Sequence, residues 1–302
     1  MSRRLGLRIA RGLLVVAACT VPRLALAEPQ AGTAPALEPI VVGTPEKIEI
    51  QPATIALTSP QRKMHLVVSG SYADGSTQDL TRAARFVSNN EQVVKVENGA
   101  AIPVGNGQAE IIAAVGGKDV KSLVTVTNHE KPEQVSFQYG TLVALSKQGC
   151  NQGACHGSPS GKGGFRLSLR AYDAAVDTET LVREAFNRRT DVYEPEMSLL
   201  LRKPLMEVAH GGGQRLKKSD PSYELLKDWI AQGCKLDAAE APQCVKVEVF
   251  PRQRILRRPA HTQQMLVLAR FSDGSVQDVT ELACYSSSDE GVATVDNSGF
   301  VV

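Results

Sequence analysis

Cys150-Asn-Gln-Gly-Ala-Cys155-His156 puts two thiols and an imidazole within one short stretch. Those side chains, in that order, can attach c-type haem. Each thiol adds across a haem vinyl group to make a thioether, and the histidine that follows turns back onto the iron as an axial ligand. Four residues separate the cysteines here; two is the usual spacing, and the longer form also occurs. Two other uses stay open. A disulfide between Cys150 and Cys155 leaves His156 idle. A zinc site uses all three but needs a fourth ligand, and is uncommon in exported chains, whose thiols tend to be oxidised. The expectation is one covalent haem c on Cys150 and Cys155, with His156 as proximal ligand.

A second axial ligand can come from Met197, Met206 or His210. Methionine raises the reduction potential and a second histidine lowers it. His210 precedes Gly211-Gly212-Gly213, where bare backbone lets a ring or haem edge approach closely. His210 is therefore the expected distal ligand and Met206 the alternative, against the ordinary readings of a loop histidine and of methionines packed in a core. Arg215 and Lys162 can pair with haem propionates, although a solvated charge is the default for each. Cys234 and Cys244 flank a polar connector and could close it as a disulfide. Cys284 has no obvious partner, and none of these three is followed by histidine.

The amino terminus agrees with covalent haem, which is attached outside the bacterial cytoplasm. Arg3, Arg4, Arg8 and Arg11 precede a short apolar run, residues 12–21, and Ala25-Leu26-Ala27 reads as a cleavage site. Residues 1–27 are expected to be a signal peptide, residues 28–44 a disordered leader rich in Pro, Ala and Gly, and the location the periplasm or cell surface. Val16-Ala17-Ala18-Cys19 resembles a lipobox and offers lipidation of Cys19 as an alternative. A net charge of +2 argues against nucleic acid as a partner. Aromatic content of 5% is low for sugar-stacking platforms.

These side chains need elements to position them, and an internal repeat supplies the frame. Ser71-Tyr-Ala-Asp-Gly-Ser-Thr-Gln-Asp-Leu-Thr81 returns as Arg270-Phe-Ser-Asp-Gly-Ser-Val-Gln-Asp-Val-Thr280, 199 positions later. Asp-Gly between alternating apolar residues is a strong hairpin signal. Strands are expected at 47–50, 64–72, 93–96, 109–115 and 122–127, forming an antiparallel sandwich over residues 45–128. The repeated motif, with Ser-x-(Asn/Asp) ahead of Val-x-x-Val and a late Gly, resembles the bacterial immunoglobulin-like group 2 domain. The second copy, residues 245–302, reaches only the equivalent of Ile102, so it is expected to be incomplete and the chain part of a longer protein.

Between the copies the periodicity turns helical, with helices expected at 139–148, 178–186, 195–202 and 221–232. The last has Asp220-Pro221 at its start, Gly233 at its end, and Tyr223, Leu226, Trp229 and Ile230 facing inward. The haem motif, Gly161–Arg170, Ser198–Pro204, His210–Arg215 and Tyr223…Trp229-Ile230 are similar to the cytochrome-c-like segment of large secreted planctomycete-type proteins. That resemblance implies a small all-α haem domain at 135–236, electron transfer to an unknown redox protein, and neighbouring immunoglobulin-like modules with a spacing or adhesion role through cell-surface or polysaccharide contacts. The competing class is an adhesion scaffold whose helical segment is stapled by a disulfide. No Ser/His/Asp triad, carboxylate pair, phosphate loop or HExxH motif argues for hydrolysis.

Overall fold

In the first repeat, apolar residues alternate inward along ten strands. A computed structural model describes residues 37–258 and 261–302; the expected signal peptide, Cys19 and the first part of the leader lie outside the described residues. The strands are β1 (Lys47–Gln51), β2 (Thr54–Leu57), β3 (Met64–His65), β4 (Val67–Ser71), β5 (Thr77–Asp79), β6 (Arg85–Ser88), β7 (Val94–Glu97), β8 (Ala100–Pro103), β9 (Gly107–Val115) and β10 (Lys118–Val126). They form sheets β1-β4-β5, β2-β10-β9-β6 and β3-β8-β7. Ile48, Ile50, Ile55, Leu57, Ile111, Val124 and Val126 meet in one buried core, the interior of a β-rich sandwich.

Three expectations change. The sheet is not wholly antiparallel, because β2 runs parallel to β10. The expected strand 64–72 is two strands in two sheets. It switches at Leu66, whose N–H donates to the Gly99 carbonyl while Val67 begins pairing with Gln51. The leader does not stay free as far as residue 44. Ile40 and Val42 pack on the core, and the Tyr72 hydroxyl donates to the Val42 carbonyl at 2.6 Å. Burial of apolar side chains outweighs the local Pro and Gly signal there.

The segment after the sandwich carries helical elements. A wide turn at Phe137–Thr141 leads into α1 (Leu142–Lys147); α2 (Ala174–Thr178), α3 (Leu199–Arg202) and α4 (Pro221–Ala231) follow. The helix expected over 178–186 is broken, since Ala185 and Phe186 take φ of 53° and 59°, left-handed values that no helix continues through. The helix expected over 195–202 splits at Ser198 into a 3₁₀ turn and α3. Helix α4 has the expected bounds to within a residue or so, and Tyr223, Leu226, Trp229 and Ile230 are buried on its inner side. They join Phe137, Leu142, Leu145, Leu181 and Leu201 in a second core.

Cys234 and Cys244, which the sequence leaves open as a disulfide, are free thiols here. Polar side chains hold the connector instead. The Asp237 carboxylate accepts from Ser136 Oγ, Phe137 N and Gln138 N, which caps the turn into α1. Trp229 Nε1 donates to the Lys235 carbonyl at 2.9 Å.

The second repeat contains β11 (Cys244–Phe250), β12 (Gln263–Gln264), β13 (Leu266–Phe271), β14 (Val276–Asp278) and β15 (Phe300–Val301). The Asp74-Gly75 and Asp273-Gly274 hairpins match, with φ of 76° and 84° at the glycines and both aspartates accepting an N–H two residues on at 2.9 Å. Among the described residues the second repeat builds no separate core. Leu266 and Leu268 belong to the first sandwich's cluster. Among the described residues no sheet covers β11 as β9 and β10 cover β1, and Val245, Val247 and Val249 are exposed.

Candidate functional site

Helix α1 delivers the cysteine loop. It ends at Gly149, whose φ of 73° turns the chain out of the helix. Cys150 N donates to the Leu145 carbonyl and His156 N to the Cys150 carbonyl, both at 2.9 Å, so the loop folds back on its own start. Gly157 N–H closes it on Gln152 at 3.0 Å. A Cβ at Gly157 would lie 2.0 Å from the Asn151 carbonyl oxygen, so only glycine allows this closure.

The two thiols are neighbours and both are free. Burial, together with the adjacent Cys155, pushes the Cys150 thiol up to about 12, against the opposing charge of Arg215. Such a thiol is protonated and a poor nucleophile for disulfide exchange. A thioether carries no proton, so its burial has no charged form to penalise.

His156 and His210 are presented in the same way. His156 Nδ1 lies 2.9 Å from the Phe165 carbonyl oxygen, and His210 Nδ1 lies 2.8 Å from that of Gly213. A carbonyl only accepts, so each Nδ1 carries a proton, and in the neutral ring Nε2 is then the nitrogen with the lone pair. Burial lowers the His156 pKa, and nearby His210 and Arg189 lower it further, against the hydrogen bond to Phe165, which raises it. The neutral, ligating form is thereby favoured. The two ring centroids are 6.3 Å apart with planes 16° from parallel. The residue types present, two thiols and two imidazoles, fit haem as the group they would hold.

Gly212 makes this placement possible, because a Cβ there would sit 2.9 Å from His210 Cε1. Arg215 Nε donates to the Gly212 carbonyl at 3.0 Å, which brings the expected propionate partner to the same loop. Lys162 is exposed and pairs through its backbone with Phe165. Met197 and Met206 are about half exposed, at 50% and 48%; His210 is the side chain whose ring lies beside His156.

Arg189 is a site residue without a sequence signal. It is buried, donates to the carbonyls of Thr180 (2.6 Å), Glu184 (3.2 Å) and Gly164 (2.8 Å), and covers the Phe165 ring at 4.8 Å. It therefore fixes the residue whose carbonyl orients His156. Asp177 acts similarly on the next turn, accepting from Ser168 N and Oγ at 2.5 and 2.7 Å. Nothing in the spacing of either residue marks it, because their partners, three carbonyls for Arg189 and the N–H and hydroxyl of Ser168 for Asp177, are brought close only by folding.

Among the described residues no group of three or more His, Cys, Asp or Glu side chains is arranged to hold a metal ion, so the zinc reading has no preformed ligand set there. No protein-family model matches the chain, and no curated protein is significantly similar to it. The functional reading therefore rests on the chemistry of the site.

Proposed function

We propose that the chain is an exported c-type haem protein that transfers electrons, with immunoglobulin-like repeats flanking a cytochrome-c-like segment. The observation that carries this reading is the pair of Nδ1-anchored imidazoles, 6.3 Å apart, next to two adjacent thiols. Haem, when bound, supplies a one-electron iron couple. Cys150 and Cys155 would hold it covalently, His156 and His210 would present Nε2 to the metal, and Arg215 would meet a propionate. Leu169, Tyr172, Phe186, Val192, Tyr193, Met197 and Met206 are exposed apolar side chains of this one segment. Apolar exposure of this extent within one segment is compatible with an apolar ligand or partner. Leu169 flanks the cysteine loop, lying 4.0 Å from where a Cβ on Gly153 would be.

The reading places the protein in the periplasm or at the cell surface, with a redox protein as partner. Expression in a periplasm with c-type maturation should give a pyridine-haemochrome spectrum that survives denaturation. Cys155→Ala should lose the attachment. A folded, colourless wild-type protein would overturn the proposal.

A further inference from the structure

The two repeats touch each other through equivalent atoms. Asp79 Oδ2 accepts the backbone N–H of Gln264 at 2.6 Å, and Asp278 Oδ2 accepts that of His65 at 2.6 Å. Asp278 and Gln264 are the second-repeat counterparts of Asp79 and His65, 199 positions on. Each bond is thus the other with the repeats exchanged. The internal wiring behind it is duplicated too. Each aspartate's Oδ1 accepts from a threonine N–H at 2.9 Å, Thr81 or Thr280. Each threonine Oγ1 accepts from the strand beside it, from Val68 N at 2.9 Å or Val267 N at 3.0 Å.

Contacts in which residue i meets j while j' meets i' define an isologous, two-fold interface. Here it lies within one chain. Both carboxylates are nearly dry: Asp79 is 3% exposed and the Asp278 side chain 2%. Leu266 and Leu268 of the second repeat pack into the first repeat's apolar cluster. Lys63 pairs with Glu281, and Arg82 sits 5.4 Å over the Phe300 ring. A buried carboxylate that loses its N–H donor is left unsatisfied at high cost. The two halves of such an interface open together.

We propose that the edge formed by β3 and β5, and by β12 and β14, is a self-complementary docking surface whose partner is another repeat of the same kind. In this chain the two repeats occupy each other's surface. They close into one body across the intervening helical segment, which is held as an insertion with both ends clasped. None of these contacts involves the candidate haem residues.

Amide hydrogen exchange on the full chain tests it. In the wild type, the His65 and Gln264 amides should be protected and should exchange at similar rates. Asp79→Ala removes the acceptor for Gln264 and Thr81 but leaves that of His65 in place, yet both the Gln264 and the His65 amides should exchange about tenfold faster or more; Asp278→Ala should give the same pair of changes. Acceleration confined to the amide that lost its own acceptor would overturn the proposal. A second measurement stands if a variant misfolds. A protease site inserted between Lys131 and Pro132 of the wild type is cut, and the fragments should elute together without denaturant. Separation of the fragments would equally overturn it.

Discussion

At the scale of single residues, the candidate site is decided by which nitrogen of each histidine carries a proton. Phe165 and Gly213 hold the two Nδ1 atoms, and that leaves both Nε2 atoms for a metal. If this pair ligates haem, His210→Ala should convert a low-spin spectrum to high-spin while the covalent haem stays, and Met206→Ala should leave the spectrum as it was. The reverse result would transfer the distal role to Met206. Gly212→Ala should act on the same ligand with no change in the ligand atoms. Its Cβ has nowhere to go without moving the His210 ring, so the low-spin bands should weaken or shift. Cys150, Cys155, His156 and His210 stand out in the sequence because the chemistry proposed for them demands specific residue types. Arg189 and Asp177 were not, since an arginine that binds three carbonyls looks in sequence like any charged residue.

At the scale of elements, α4 is the support on which the helical segment depends. Its Trp229 is fully buried and contacts Phe137 at a ring-centroid distance of 5.5 Å. Trp229→Ala should cost about 3–5 kcal/mol, measured by chemical denaturation. Asp237 caps the turn into α1 from about a hundred residues away in sequence. Asp237→Ala should cost about 1–2 kcal/mol, because three donors lose one acceptor group. The signals for α4 were local, namely Pro at its start, Gly at its end and apolar residues at helical spacing, so its bounds came through. The broken helix at Ala185–Phe186 and the strand switch at Leu66 were not local. At Leu66 the chain follows its tertiary partners against its own pattern, whereas Ala185 and Phe186 are exposed and their left-handed backbone has no packing explanation.

At the scale of the whole molecule, the two interface aspartates titrate in opposite directions. Burial raises Asp79, against the hydrogen bonds from Thr81 and Gln264. Burial alone would also raise Asp278, but the His65 hydrogen bonds reverse it and leave the group below its ordinary value. The difference follows from one substitution between equivalent positions, histidine at 65 and glutamine at 264. A lowered folded-state pKa contributes stability that is present above the unfolded value and lost as the pH falls through the folded one; a raised pKa does the opposite. Between about pH 6 and pH 3, Asp278→Asn should therefore show a shallower acid loss of stability than wild type. Asp79→Asn should show a steeper one. Parallel acid limbs for all three proteins, measured by denaturant midpoints, would contradict this assignment.

What the sequence determined by itself was whatever depends on residue type at short range. That covers the cysteine-histidine loop, the two Asp-Gly hairpins, helix α4 and the existence of a repeat, since turn geometry, capping and alternation are set by neighbours along the chain. Only the tertiary structure decided how the pieces meet. It brought His210 to His156, placed Asp237 under the turn into α1, drew Ile40 and Val42 onto the sandwich, and put Leu266 and Leu268 into the first repeat's core. It also turned two copies of one motif into reciprocal halves of an interface. Each of these outcomes joins groups far apart in sequence, and burial of apolar area and satisfaction of buried polar groups act on distance in space.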